Sequence, residues 1–283
     1  MQKRNCGKKS ISEFSLGKLH PIAGIWCGLS FLCLYYVVSA VVAYIYEKAA
    51  YLILNDTELI NKALRNGICA RLLISAVVTF FVSVILFKFL SVDFKEFCAF
   101  KKTNAIYFVS AFFAGIFLND VISALLEIIT VPDSWNESHD ESVSLLFGGD
   151  IALMLFVVII STPFIEEFLF RGVMFSFIEK SWCIPGAFIV SSLVFGIIHG
   201  NILQAIYTFI AGMLFAYYRY KSKSLWSAYF AHVGFNSYSF LTMLMGETEA
   251  WMRLAVGAAA LILIITGHEF VFKSRTDCEK ELK

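Results

Sequence analysis

Charge is scarce in this sequence. Of its 283 residues, 16% are Asp, Glu, Lys or Arg and 59% are hydrophobic, with a mean hydropathy of +0.73. Soluble domains carry about a quarter charged residues, so this composition excludes an ordinary water-soluble fold. Lys and Arg are missing altogether from 132–150, which holds Asp133, Glu137, Asp140, Glu141 and Asp150. Paired cysteine spacings are missing as well. Cys6, Cys27, Cys33, Cys69, Cys98, Cys183 and Cys278 contain no C-x-x-C, which argues against a disulfide or zinc framework and for reduced, mostly buried thiols. No internal repeat, linker or second domain is visible, and the loops are too short to hold one.

What the sequence has instead is long apolar runs, several of more than 18 residues, the length a helix needs to cross a bilayer. They read as spans at 22–46, 68–90, 105–131, 151–178, 184–200, 202–219, 225–245 and 251–272. The expectation is an all-α, polytopic helical bundle of about eight transmembrane helices, one integral membrane domain over 1–283. Residues 1–20 carry Lys3, Arg4, Lys8, Lys9 and Lys18 and form a basic arm. Val38-Ser39-Ala40 resembles a cleavage site, but apolar character continues through Tyr46, so the first run reads as an uncleaved helix rather than a signal peptide.

The connecting segments alternate in charge: Lys88, Lys95, Lys101 and Lys102 follow the second span, acids alone follow the third, and Arg219, Lys221 and Lys223 follow the sixth. Cytoplasmic loops are the basic ones, which places both termini in the cytoplasm and the protein in the plasma membrane as a multi-pass chain. Trp26, Trp135, Trp182, Trp226 and Trp251 fall at or near span ends, as an interfacial belt requires.

Against this background the costly stretch is Ser161-Thr-Pro-Phe-Ile-Glu166-Glu167-Phe-Leu-Phe-Arg171-Gly172. A charged side chain at mid-membrane costs roughly 2.5–3.5 kcal/mol on insertion scales, so three of them need partners or a purpose. Glu167 and Arg171 lie four apart on one helix face, acid first, the favourable order for an ion pair. Glu166 points about 100° away and is left to meet a partner on another helix.

Candidate partners stand at the same depth. His199 ends Phe195-Gly-Ile-Ile-His199-Gly200, and His232 and Asn236 are one turn apart in the seventh span. At a rise of 1.5 Å per residue, Glu166 lies about 21 Å from Lys180, His199 about 22 Å from Ile184, and Asn236 about 17 Å from Leu225, with His232 one turn shallower. Four polar side chains on three helices thus share one layer. A carboxylate beside imidazoles in low dielectric can serve as a general base, and a second His with an Asn amide can donate to an oxyanion. Glu166, His199 and His232 could equally hold zinc with water in the fourth position. The soluble zinc signature H-E-x-x-H is absent, because Phe272 stands where the second His would follow His268-Glu269.

Other intramembrane chemistries leave signatures too. The G-x-G-D of aspartyl types is incomplete in Phe147-Gly148-Gly149-Asp150, where Asp150 reads as a helix N-cap, and the G-x-S-G of rhomboid types does not occur. A proton-coupled transporter would also use buried carboxylates and histidines, but the missing repeat argues against it.

At these residues the chain resembles the CAAX prenyl protease and bacteriocin-processing (CPBP, Abi) family of intramembrane endopeptidases. That family is recognised by E-E-x-x-x-R, F-x-x-x-H and H-x-x-x-N on successive membrane helices, here Glu166-Glu167 with Arg171, Phe195 with His199, and His232 with Asn236. The match covers about 151–240. The resemblance implies a glutamate-type endopeptidase acting on a membrane-associated or lipidated peptide or protein, with Glu166 and His199 activating water, His232 and Asn236 stabilising the oxyanion, and Glu167 and Arg171 orienting the site. It implies no obligatory cofactor, with zinc on Glu166, His199 and His232 as the metalloprotease alternative and a non-catalytic bacteriocin-immunity or scaffold role as another. No nucleic-acid partner is expected. The remaining polar residues read more simply: Phe195 as core, Gly24 and Gly28 as packing, His20, His139 and His268 as unrelated to the site, and Asp120 with Asn119 as either a structural hydrogen bonder or part of a substrate path.

Overall fold

The computed structural model describes residues 20–242 and 248–281. The basic arm, apart from His20, lies outside the described residues, as do the last three residues of the expected 225–245 span. Among the described residues every regular element is a helix.

Helix α1 (Pro21–Ile53) starts where proline is pre-shaped for a first turn, with the His20 ring accepting from the Ile22 amide at 3.4 Å. It outruns the expected span by seven residues and ends in exposed turns. The short α2 (Thr57–Asn66), capped by Asp56, buries only Ile60, as a helix lying on a surface does. Next come α3 (Ile68–Phe89), the single turn α4 (Phe94–Phe97), and α5 (Ala105–Ile128), the last capped by Asn104. The acidic 132–150 segment is not a plain loop. It contains α6 (Asp133–Ser144) and a 3₁₀ turn. Helix α7 runs continuously from Ile151 to Ser181, and Asp150 caps it by accepting from the Leu153 amide at 2.8 Å. It is followed by α8 (Ile184–Ile197), α9 (Ile202–Ser222), α10 (Leu225–Leu241) and α11 (Ala250–Glu281).

Eight helices therefore stand where eight spans were expected. Five segments, α1, α3, α5, α7 and residues 250–267 of α11, are long and apolar enough to cross a membrane. The apolar α8 is shorter, and α9 and α10 turn buried polar residues inward, including Arg219 and His232. Large apolar side chains cover the outside, with Phe81 61% and Leu263 69% exposed; a bilayer is the solvent in which such a surface is stable. The protein is an integral, multi-pass membrane protein.

Small residues set how closely the helices approach, as is usual where lipid supplies no hydrophobic drive between them. On α5 and α10, a Cβ added to Gly115 would stand 1.9 Å from the Ala231 carbonyl, and one added to Gly234 2.0 Å from that of Phe112. The two backbones touch. Gly24 and Gly28 do the same for α1 against Ser181 and Met174 of α7, the packing role expected of them. Gly196 sits against the Ala205 carbonyl, but Gly200 has nothing within 4 Å and a φ of +81°. Its task is the left-handed turn that ends α8, not helix packing.

Candidate active site

The site is built on α7, whose backbone departs from α-helical bonding on both sides of the carboxylates. Pro163 has no N–H for the Ile159 carbonyl, and its ring crowds that carbonyl. Over Val157–Ser161 the chain widens into a π-helix in which the Thr162 amide reaches back to Val157. A second π segment, Phe168–Met174, has the Phe175 amide bonded to Phe170. Between them Thr162–Glu167 is α-helical and carries both acids. Such widened turns are frequent at functional sites.

Glu167 and Arg171 pair as expected. The guanidinium Nη1 donates to Glu167 Oε1 at 3.0 Å, and both side chains are 0% exposed. The other arm, Nη2, donates to the Gly212 carbonyl on α9 at 2.9 Å. The guanidinium carbon lies 4.6 Å from the Phe195 ring centre and 5.3 Å from that of Phe215, so the cation is held between aromatic faces. Space for it depends on Gly212, where a Cβ would stand 2.7 Å from Nη2.

His232 joins the two acids. Its Nδ1 lies 2.9 Å from Glu167 Oε1 and its Nε2 3.6 Å from Glu166 Oε2. Glu167 is the ionised partner of a guanidinium and can only accept, so Nδ1 carries a proton and donates, leaving Nε2 toward Glu166. The ring stacks on Phe215 at 4.6 Å and 18°. Among the described residues the imidazole is the one close polar partner of Glu166, which retains 19% of its side-chain surface.

His199 follows the last residue of α8. Its Nδ1 lies 2.7 Å from the Phe195 carbonyl; a carbonyl can only accept, so Nδ1 is the protonated nitrogen and Nε2 holds the lone pair. The Phe195 ring is 4.9 Å from the His199 ring and 5.7 Å from that of His232, edge-on to both. The core residue expected at Phe195 is indeed buried, at 1% exposure, and it is also the spacer between the two imidazoles. The imidazole that Glu166 meets directly is that of His232. Asn236, one turn beyond His232, donates from Nδ2 to the Val158 carbonyl at 2.8 Å, within the first π segment.

Glu166, Glu167, Arg171, Phe195, His199, His232 and Asn236 thus gather around one centre. Sequence reasoning missed the contribution of α9, which carries Gly212 and Phe215 between no recognisable motifs. A small residue in an otherwise bulky span was the available signal. Among the described residues no group of three His, Cys, Asp or Glu side chains is disposed to hold a metal ion. The other histidines lie elsewhere: His20 caps α1, His139 faces the Tyr207 hydroxyl at 3.2 Å, and the side chain of His268 lies outside the described residues. Asp120 is tied into a structural clasp, accepting from the Tyr238 hydroxyl at 2.5 Å and from Arg253 Nε at 3.2 Å. Asn119 donates to the Phe235 carbonyl at 2.6 Å.

Fold and site together define a polytopic helical membrane protein with an acid–imidazole centre buried between its helices. The comparisons with known proteins show similarity to membrane proteases over the part of the chain that holds this centre. Residues 148–238 match the family model described as type II CAAX prenyl endopeptidase Rce1-like. The chain is also 23% identical over 164 residues to a Bacillus subtilis protein named "Putative membrane peptidase YdiL", a match covering 56% of this chain and 66% of that one. No solved structure matches the chain.

Proposed function

We propose that this protein is an intramembrane endopeptidase that hydrolyses a peptide bond of a membrane-associated or lipidated peptide, with Glu166 as the general base. One observation carries the reading. Of two adjacent carboxylates, the buried Glu167 pairs with Arg171 at 3.0 Å, whereas the partly buried Glu166 makes no ion pair with Lys or Arg among the described residues and faces an imidazole nitrogen at 3.6 Å. A structural ion pair would not need the second acid. An acid kept for proton transfer would be placed in this way.

In the proposed reaction a water held between Glu166 and the lone pair of His199 Nε2 attacks the peptide carbonyl carbon. As the C–O bond forms, the water proton passes to Glu166 and the carbonyl π pair moves onto oxygen. Asn236 has a second amide N–H beyond the one given to Val158, and this donor is available to the oxyanion. Collapse of the tetrahedral species breaks the C–N bond, and Glu166 returns the proton to the departing amine. His232, oriented by Glu167, donates to the oxyanion from Nε2 once that nitrogen is protonated. The chemistry needs no metal; the zinc route is left as an outcome of the test. Both termini are proposed to face the cytoplasm, from the loop charges, in the cell membrane.

The test is cleavage by purified protein in liposomes of a farnesylated C-terminal peptide and of a single-span transmembrane peptide, for wild type and Glu166→Gln, with and without chelator. The expected result is wild-type cleavage in both conditions and a loss of about 10²–10⁴-fold in the variant, the usual weight of a general base. Cleavage that survives the substitution overturns the base assignment, cleavage lost to the chelator establishes the metalloprotease, and peptide binding without cleavage establishes a scaffold.

A further inference from the structure

A peptide bond cut at membrane depth must first be freed from its own helix, and in a bilayer each backbone N–H and C=O it exposes needs a partner. The α10 side of Glu166 offers His232 and Asn236. Away from α10, α1 packs along the Phe168–Ser181 part of α7, lies outside the segment matched by the family model and carries no motif.

The α1–α7 register can be read from contacts. The two helices run antiparallel, with Gly24 against Ser181 and Gly28 against Met174. Seven residues further along α1, about 10 Å at helical rise, Tyr35 comes level with Glu166 and Glu167. Both Tyr35 and its neighbour Tyr36 lie within electrostatic reach of Glu166. Tyr36 is 46% exposed on the outer face, while Tyr35 packs against the core. One turn on, Ser39 has its hydroxyl buried beside the Tyr35 phenol. Over residues 29–43 of α1 these three are the polar groups long or placed enough to matter, and two of them, four residues apart, share the face turned inward.

We propose that Tyr35 and Ser39 form the second polar wall of the cleft over Glu166 and hydrogen-bond the extended backbone of the substrate beside the scissile bond. The inference rests on the endopeptidase reading, and it deepens it by naming what the cleft recognises: an unwound, extended peptide backbone rather than a particular side chain. Tyr36 stands on the lipid side of this wall, where an incoming chain passes first.

Two readouts test it. The labelled transmembrane peptide is titrated into liposomes holding Glu166→Gln protein, with and without Tyr35→Phe, and its binding is followed by energy transfer. One hydrogen bond is worth about 0.5–1.5 kcal/mol, so Tyr35→Phe should weaken binding about three- to tenfold, and Tyr35→Phe with Ser39→Ala further. In the Glu166 protein, Tyr35→Phe should raise KM by the same factor and leave kcat within threefold, and Tyr36→Phe should change neither. Thermal melting should match the parent. Unchanged binding and KM in the double variant overturn the wall, as does a loss of kcat at constant KM or an equal effect of Tyr36→Phe. If the wild type cleaves nothing yet binding weakens as stated, the endopeptidase reading fails and the wall stands. If the peptide does not bind at all, both fail.

Discussion

Arg171 and Glu167 are each 0% exposed, so whatever their pair contributes is decided by what remains when one is removed. Losing one member of a buried pair costs about 3–5 kcal/mol because it leaves a charge with no counterion, whereas replacing both with neutral residues can be nearly neutral. Arg171→Met is therefore expected to destabilise by about 3–5 kcal/mol, and the addition of Glu167→Gln to recover most of it. Urea unfolding in detergent measures this. Activity should not return in the double variant, because His232 exchanges the charged acceptor at 2.9 Å that orients it for a weaker amide oxygen no longer held by a guanidinium; a double variant as active as wild type would show that the pair only holds helices together. The pairing itself was readable, since four residues on a helix fix a shared face. The identity of the imidazole opposite Glu166 was not. Counting residues gives depth along a helix, about 22 Å for His199 and about 11 Å for His232, but not which ring turns toward Glu166. The rings differ in azimuth, which depends on how α8 ends at Gly200 and on how closely Gly115 lets α10 approach α5.

Elements add a constraint that no motif records. The carboxylates sit in six α-helical residues between two π segments, and the first of these ends two residues before Pro163. Restoring the missing N–H should let this turn tighten toward ordinary α-helical bonding and rotate Glu166 away from His232. Pro163→Ala is predicted to cut kcat at least tenfold while leaving thermal stability equal or higher, since proline inside a helix costs about 3 kcal/mol. Cleavage and melting measured on the same preparation check both halves; full activity in the variant would mean that the widened turn is unrelated to the chemistry. Helical periodicity predicted where α7 begins and ends within a few residues. It assumes one repeat throughout, and so could not foresee π turns. The same limit applied to 132–150, where twelve residues poor in apolar side chains still form α6.

Across the whole molecule the last helix is attached with little burial. Only 6% of the apolar window of α11 is buried, and α11 rests on α5. Polar contacts make up the difference: Arg253 pairs with Asp120 at 3.2 Å and with Glu127 at 2.9 Å, and Tyr238 of α10 closes on the same Asp120 oxygen. These partners are more than a hundred positions apart in sequence, which is why Asp120 could be placed at depth but not assigned a role. Asp120→Ala is predicted to lower the melting temperature and expose α11 to added protease, with cleavage by the surviving folded protein within threefold of wild type. A loss of activity without a loss of stability would move Asp120 into the substrate path.

The account stands or falls on the acid that no cation neutralises. Its most direct measurement is mass-spectrometric detection of peptide fragments produced in liposomes by wild-type and Glu166→Gln protein of matched melting temperature. Fragments from the wild type and a rate at least about a hundredfold lower from the variant are predicted; equal fragment yields from the two would contradict it.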